Sequence, residues 1–221
     1  MVFLLIKKQN KMENILVAGA TGTTGGKVVN LLKSSQYFEP IAMVRKKEQQ
    51  SQFESRGIKT VLADLEEDVS QAFNDIDKVI FAAGSGGKKV KEVDQDGAKK
   101  MVDASEKNNV KKFVMLSSMG ADQPEAVEDL QEYLEAKQNA DNHLRDSSLK
   151  YTIVRPGTLN DDKAKDHIKI SEKLNEKGEI SRADVAQVLV KSLHDDAPSY
   201  ITFEILEGET LIAKALEKIE H

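Results

Sequence analysis

Short runs of apolar residues alternate along the chain with longer polar stretches in which apolar residues return every three or four positions. Ile15-Leu16-Val17-Ala18, Ile41-Ala42-Met43-Val44, Lys59-Thr60-Val61-Leu62, Val79-Ile80-Phe81-Ala82, Phe113-Val114-Met115-Leu116 and Tyr151-Thr152-Ile153-Val154 are compact and mostly apolar, the pattern of parallel strands covered on both faces. A glycine-rich turn follows the first, and then Val28, Val29, Leu31 and Leu32 at helical spacing. The separators Val90 to Asn108 and Glu125 to Ser147, rich in Ala, Lys, Glu, Asp and Gln, predict the two main helices beside the later strands. Past Pro156 the pattern loosens; Ser181 to His194 then predicts a helix, Ser199 to Leu206 a strand and Thr210 to Glu220 a closing helix. Repeated strand-then-helix order predicts right-handed βαβ units and an α/β fold, a doubly wound parallel sheet in a three-layer α/β/α sandwich.

Composition narrows this to one domain, since 221 residues with 39% hydrophobic content suit a single sizeable core. The domain is expected over 12–221, with a small substrate-side region at its C-terminal end. Met12 stands immediately before the first strand, so residues 1–11 are an extension from an alternative start or an added strand. The apolar run Val2 to Ile6 is far shorter than a signal-peptide core and its lysines follow it, which sets the expectation of a cytoplasmic protein with no membrane partner. A net charge of -5, from 32 basic and 37 acidic residues spread along the chain, shows no block that reads as a nucleic-acid footprint. Monomer and homodimer both stay open. The absence of Cys removes disulfides, thiolate nucleophiles and cysteine-ligated metal sites. His143, His167, His194 and His221 are scattered and read as surface residues, and Asp161-Asp162 and Asp195-Asp196 read as solvated turns, so no metal is expected.

The candidate chemistry begins at Gly19-Ala20-Thr21-Gly22-Thr23-Thr24-Gly25, with glycines at intervals of three between a strand and a helix. There a backbone can turn tightly, approach a pyrophosphate closely and offer it helix N-terminal donors. The spacing resembles the G-x-x-G-x-x-G of short-chain dehydrogenases/reductases, and the likeness runs along most of the chain from Met12. Asp64-Leu65 is similar to the family's adenine contact, Ala82-Ala83-Gly84 to its cofactor-adjacent strand end, and Val110 to Ser118 to its fifth strand. Val154-Arg155-Pro156-Gly157 resembles the loop beside the nicotinamide, with Pro156 as the contact. Ser181-Arg182-Ala183-Asp184-Val185-Ala186 is similar to a helix start common in the atypical, NAD(P)H-binding branch that includes the NmrA-like proteins. The resemblance implies a Rossmann fold with Gly19, Thr21, Gly22, Thr23, Thr24 and Gly25 around the dinucleotide.

An acid at the end of the second strand binds the 2′-hydroxyl of NAD, whereas arginine accommodates the 2′-phosphate of NADP. This strand ends Met43-Val44-Arg45-Lys46-Lys47, with no acid before Glu48, so NADP (NADPH) is favoured over NAD, with Arg45 as its ligand and Lys46 as a looser helper. Tyr133 and Lys137 lie four apart in a predicted helix and so share a face. The resemblance implies that Tyr133 gives a proton to a carbonyl, that Lys137 holds the nicotinamide ribose and eases proton loss from the phenol, and that Ser118 orients the substrate oxygen. Asp94 stands where the family often has asparagine, which puts an asparagine-dependent proton relay in doubt. The expectation is an NADP-dependent oxidoreductase of a small-molecule carbonyl or alcohol. A non-catalytic NADP-binding sensor and an NAD(P)-dependent epimerase or dehydratase are the alternatives, and the short region after Pro156 argues against a nucleotide-sugar substrate.

Overall fold

All six apolar runs form strands in the computed structural model, which describes residues 11–219; the stretch 1–10, with the Val2 to Ile6 run, and residues 220–221 lie outside the described residues. In chain order the first half is β1 (Glu13–Ala18), α1 (Thr23–Lys33), β2 (Phe38–Val44), α2 (Lys47–Glu54), β3 (Lys59–Leu62), β4 (Lys78–Phe81), α3 (Ala98–Lys107), β5 (Lys112–Leu116), α4 (Gln131–Arg145) and β6 (Tyr151–Pro156). There follow β7 (Thr158–Asn160), β8 (His167–Ser171), β9 (Glu179–Ser181), α5 (Arg182–Lys191), β10 (Ile201–Glu207), β11 (Thr210–Leu211) and α6 (Ile212–Lys218). The main sheet has the order β3-β2-β1-β4-β5-β6-β10, all parallel, extended by antiparallel β8 and then β11; β7 and β9 pair separately.

Alternate residues of β1 serve opposite layers. Ile15 and Val17 pack with Val28, Val29 and Leu32 of α1 and Val185 and Leu189 of α5, while Leu16 and Ala18 pack with Met101 and Val102 of α3 and Ala140 and Leu144 of α4. With helices on both faces the strands need no polar side, which is why β4 and β5 are buried throughout. The chain steps outward from β1 to β3 and returns to β4 on the other side of β1, which opens a crevice at the carboxyl ends of β1 and β4. The fold is a single Rossmann-like α/β/α sandwich.

Several boundaries differ from those expected. The helix expected from Val90 begins as a π-helical turn over Val90–Gly97 before tightening into α3, and the one expected from Glu125 begins as two 3₁₀ turns, Pro124–Ala126 and Glu128–Leu130, before α4. The strands β4 and β5 each start one residue earlier than expected, on the buried lysines Lys78 and Lys112. His194 is not a plain surface residue. It is half-buried with its ring 4.9 Å from that of Phe38, and burial draws its pKa below the usual histidine value. Asp195 is exposed as expected, yet its carboxylate pairs with Lys78 at 2.7 Å. Among the described residues, no helix is long and apolar enough to cross a membrane and no group of three or more His, Asp or Glu is placed to hold a metal ion.

Candidate functional site

The turn between β1 and α1 is built by exclusion. Gly19 has φ +86°, and a Cβ on it would lie 2.5 Å from the backbone nitrogen of Ala83, so only glycine brings this turn against the end of β4. A Cβ on Gly25 would lie 2.1 Å from the Gly19 carbonyl oxygen, which makes Gly25 the residue that seats α1 on the turn. Gly22 precedes α1 in extended conformation (φ -78°, ψ 166°), with no side-chain cap and no acid in the helix's first turn. The first N–H groups of α1 are therefore open to an anion, with the positive end of the helix behind them.

That turn forms one wall of a cleft of about 930 Å³, a volume in the range of ligand and cofactor sites. The cleft gathers Gly19, Thr21, Gly22, Thr23, Thr24, Arg45, Asp64, Leu65, Ala82, Ala83, Gly84, Tyr133 and Lys137 from the residues expected. Gly25, Lys46, Pro156 and Ser118 are not among its lining: Gly25 packs inside the turn, the Lys46 N–H donates to Gln49 Oε1 at the start of α2, Pro156 ends β6 in the interior, and Ser118 Oγ donates to the Met119 carbonyl at 3.2 Å. The sequence reading gave no role to Ser117, Leu130, Leu159 and Arg182, which also line it. The Gly84 to Lys89 segment lines the cleft, and in it Gly86 (φ +63°) and Gly87 (φ +80°) are left-handed with open space around them. It is held at both ends: Ser85 N–H donates to Asp94 Oδ2 at 2.9 Å, and Lys89 Nζ lies 2.6 Å from the Glu66 carboxylate. Ser85 Oγ is buried and has no partner among the described residues, a polar atom left over in the cleft wall for a ligand group.

The floor is a face of α4. Tyr133, Lys137 and Asp141 recur every four residues, and the lysine ammonium stands 5.6 Å from the centre of the Tyr133 ring. Lys137 is buried, with Nζ 3.5 Å from Asp94 Oδ1 and 3.5 Å from the Leu116 carbonyl. Burial alone would lower its pKa, but Tyr133, Asp94 and Asp141 around it outweigh that and carry it above the ordinary lysine value. One turn on, buried Asp141 accepts from Ser117 Oγ at 2.9 Å and from Arg155 Nε and Nη2 at 3.0 and 2.8 Å. Burial raises the Asp141 pKa against the opposing pull of Arg155. Ser117 thus spends its proton on Asp141, while Ser118 is not among the residues that line the cleft.

The residues fit a dinucleotide, with open helix donors and the Gly19 cradle at one end, Arg45 beside them, and an orphaned hydroxyl with the Tyr133 and Lys137 pair at the other. Comparison with known proteins agrees. Residues 19–196 match the NAD(P)H-binding family model. The chain is 38% identical over 213 residues to a protein of Bacillus subtilis (strain 168) named uncharacterized sugar epimerase YhfK, covering 93% of this chain and 99% of that one. Among solved structures, one from Bacillus halodurans, assigned by name to the NAD-dependent epimerases/dehydratases, superposes with a TM-score of 0.90 at 40% identity over 94% of this chain and 100% of that chain. The oxidoreductase ylbE from Lactococcus lactis superposes with a TM-score of 0.85 at 31% identity over 93% of this chain and 96% of that chain. Matches over a smaller part or at lower identity include proteins named as reductases, sanguinarine reductase of Eschscholzia californica (32% over 131 residues) and NAD(P)H azoreductase of Xenophilus azovorans (27% over 194 residues).

Proposed function

The chain belongs to the NAD(P)H-binding family of atypical short-chain dehydrogenase/reductase, epimerase-like Rossmann proteins, and from that membership we propose that it is an NADPH-dependent reductase of a small carbonyl compound. The observation that carries this reading is the meeting, in one cleft, of the open N-terminus of α1 with the Tyr133 and Lys137 pair. The cofactor, when bound, supplies the hydride. Gly19 and Gly22 to Thr24 hold its diphosphate, and Arg45 at the end of β2 selects the 2′-phosphate by charge and by two parallel N–H donors. Tyr133 Oη gives its proton to the substrate oxygen as that oxygen gains charge. Lys137, anchored by Asp94, keeps a positive charge under the phenol at that moment.

The test is NADPH consumption across small aldehydes, ketones and quinones. Tyr133→Phe removes only the hydroxyl and abolishes reduction on this reading, with NADPH affinity within about twofold of wild type, because the phenol acts in the transition state. Full activity in Tyr133→Phe would sink the mechanism. The names of two relatives favour a second reading, an epimerase or dehydratase that uses the nicotinamide transiently. A tightly copurifying cofactor with product formed and no net NADPH consumption would put it ahead.

A further inference from the structure

Between Gly19 and Gly25 the only side chains are a methyl and threonine groups, so this turn offers a diphosphate backbone N–H donors and hydroxyls but no full positive charge. The cationic side chains in the cleft wall are Arg45, Lys88, Lys89, Lys137 and Arg182. Lys89 and Lys137 are already ion-paired. Arg45 stands at the end of β2, the ribose side; Lys88 and Lys89 belong to the Gly84 to Lys89 segment, with Lys89 2.6 Å from Glu66; Lys137 is on the floor, paired with Asp94.

Arg182 is ion-paired too, with Asp161, and differs in place. The chain leaves the carboxyl end of β6, forms the paired strands β7 and β9, and enters α5 at Arg182 before descending to β10, so α5 begins at the carboxyl edge of the sheet. α5 packs along α1, and the two helices start at that same edge in the same layer. The guanidinium is committed at one nitrogen, where Nη1 donates to the Leu159 carbonyl at 3.3 Å and lies 3.2 Å from the Asp161 carboxylate. Its Nε and Nη2 have no partner among the described residues.

We propose that Arg182 binds the cofactor's diphosphate, supplying the full positive charge that the glycine turn lacks. This rests on the reading of the cleft as a dinucleotide site. The guanidinium gives charge-assisted N–H donors to a non-bridging phosphate oxygen, while Leu159 and Asp161 hold its other side in place. The start of α5 does not depend on it. Ser181 Oγ accepts from Asp184 N–H at 3.0 Å, and the buried Asp184 carboxylate accepts from the backbone of Lys165 and Asp166.

Titration calorimetry of the full chain with NADPH, NADH and adenosine 2′-monophosphate, which lacks the diphosphate, separates Arg182 from Arg45. Arg182→Gln weakens NADPH and NADH by the same factor, about tenfold or more, leaves adenosine 2′-monophosphate unchanged and keeps the wild-type unfolding midpoint, with partial recovery in Arg182→Lys. Arg45→Gln does the converse, weakening NADPH and adenosine 2′-monophosphate while sparing NADH. Unchanged dinucleotide affinity in Arg182→Gln overturns the assignment, as does an equal loss for adenosine 2′-monophosphate, the sign of a disturbed cleft. A wild type that binds neither dinucleotide removes the cofactor reading itself, and Arg182's role with it.

Discussion

Asp94 places a carboxylate where the resemblance to short-chain dehydrogenases/reductases implies a neutral asparagine, and its surroundings show what that group does. The residue is 1% exposed, and its carboxylate divides between Lys137 Nζ at 3.5 Å and the Ser85 N–H at 2.9 Å. An amide can accept from Ser85 equally well, but it cannot balance a buried ammonium. The carboxylate is thus a counter-charge for Lys137 and, through Ser85, a tether for the Gly84 to Lys89 segment. Removing one member of a buried ion pair leaves the other uncompensated, so Asp94→Ala is expected to lower the unfolding free energy by about 3 kcal/mol or more, and Asp94→Asn, which keeps only the bond to Ser85, by most of that amount. Urea denaturation of the two variants reads this directly; a near wild-type Asp94→Asn beside a destabilised Asp94→Ala would mean that the hydrogen bond to Ser85, and not the charge, is what matters.

At the scale of the element, the turn from β1 to α1 separates a glycine the ligand needs from one the fold needs. A Cβ on Gly22 meets only the Gly19 carbonyl, at 3.3 Å, whereas one on Gly25 would sit 2.1 Å from it. Gly22→Ala should therefore keep a near wild-type melting temperature and lose NADPH affinity, while Gly25→Ala should be destabilised by about 2 kcal/mol or more; thermal melts with and without NADPH distinguish the two. The spacing of these glycines made the turn legible, and continuous apolar runs made the buried strands legible. What escaped was assembled across elements or lay at edges. β7 and β9 are three residues each, and β8 places only Ile168 fully inside, so none of the three carries enough pattern to register. Ser117 and Ser118 are neighbours in sequence, and only the path of the chain after β5 decides which one lines the cleft. Asp141, Arg155 and Arg182 come together with the site through the packing of α4, β6 and α5, which no local spacing encodes.

Across the whole molecule, the cleft at the carboxyl edge is matched by a cluster of buried charge at the opposite edge. Lys78 and Lys112 are register partners at the amino ends of β4 and β5, buried to 1% and 2% exposure. Lys78 donates to the Leu193 carbonyl at 2.8 Å and pairs with Glu13 and Asp195 at 2.7 Å each, while Lys112 donates to the carbonyls of His194, Ala197 and Pro198. Together they tie the segment after α5 to the foot of the sheet, and α5 is the helix whose other end carries Arg182 into the cleft. The cation of Lys112 is held at a cost: desolvation first, then the neighbouring Lys78 charge, lower its pKa from the usual 10.5 to about 8. Between those two values the unfolded chain binds the proton and the folded chain has largely released it, so stability from this group rises as pH rises from about 8 to about 10.5. Below pH 8 both states are charged and the folded state bears the whole penalty, up to about 3 kcal/mol for a shift of this size. Other lysines and the tyrosines also titrate in this window, so the comparison must be with Lys112→Met, which removes this titrating group; its lost carbonyl bonds offset the curves without adding a pH slope. Urea unfolding of both proteins between pH 7.5 and about 10 is expected to show the stability of wild type relative to Lys112→Met increasing with pH. Parallel pH profiles would mean that the three carbonyl contacts fully offset the burial of the ammonium and that Lys112 keeps its proton in the folded state throughout.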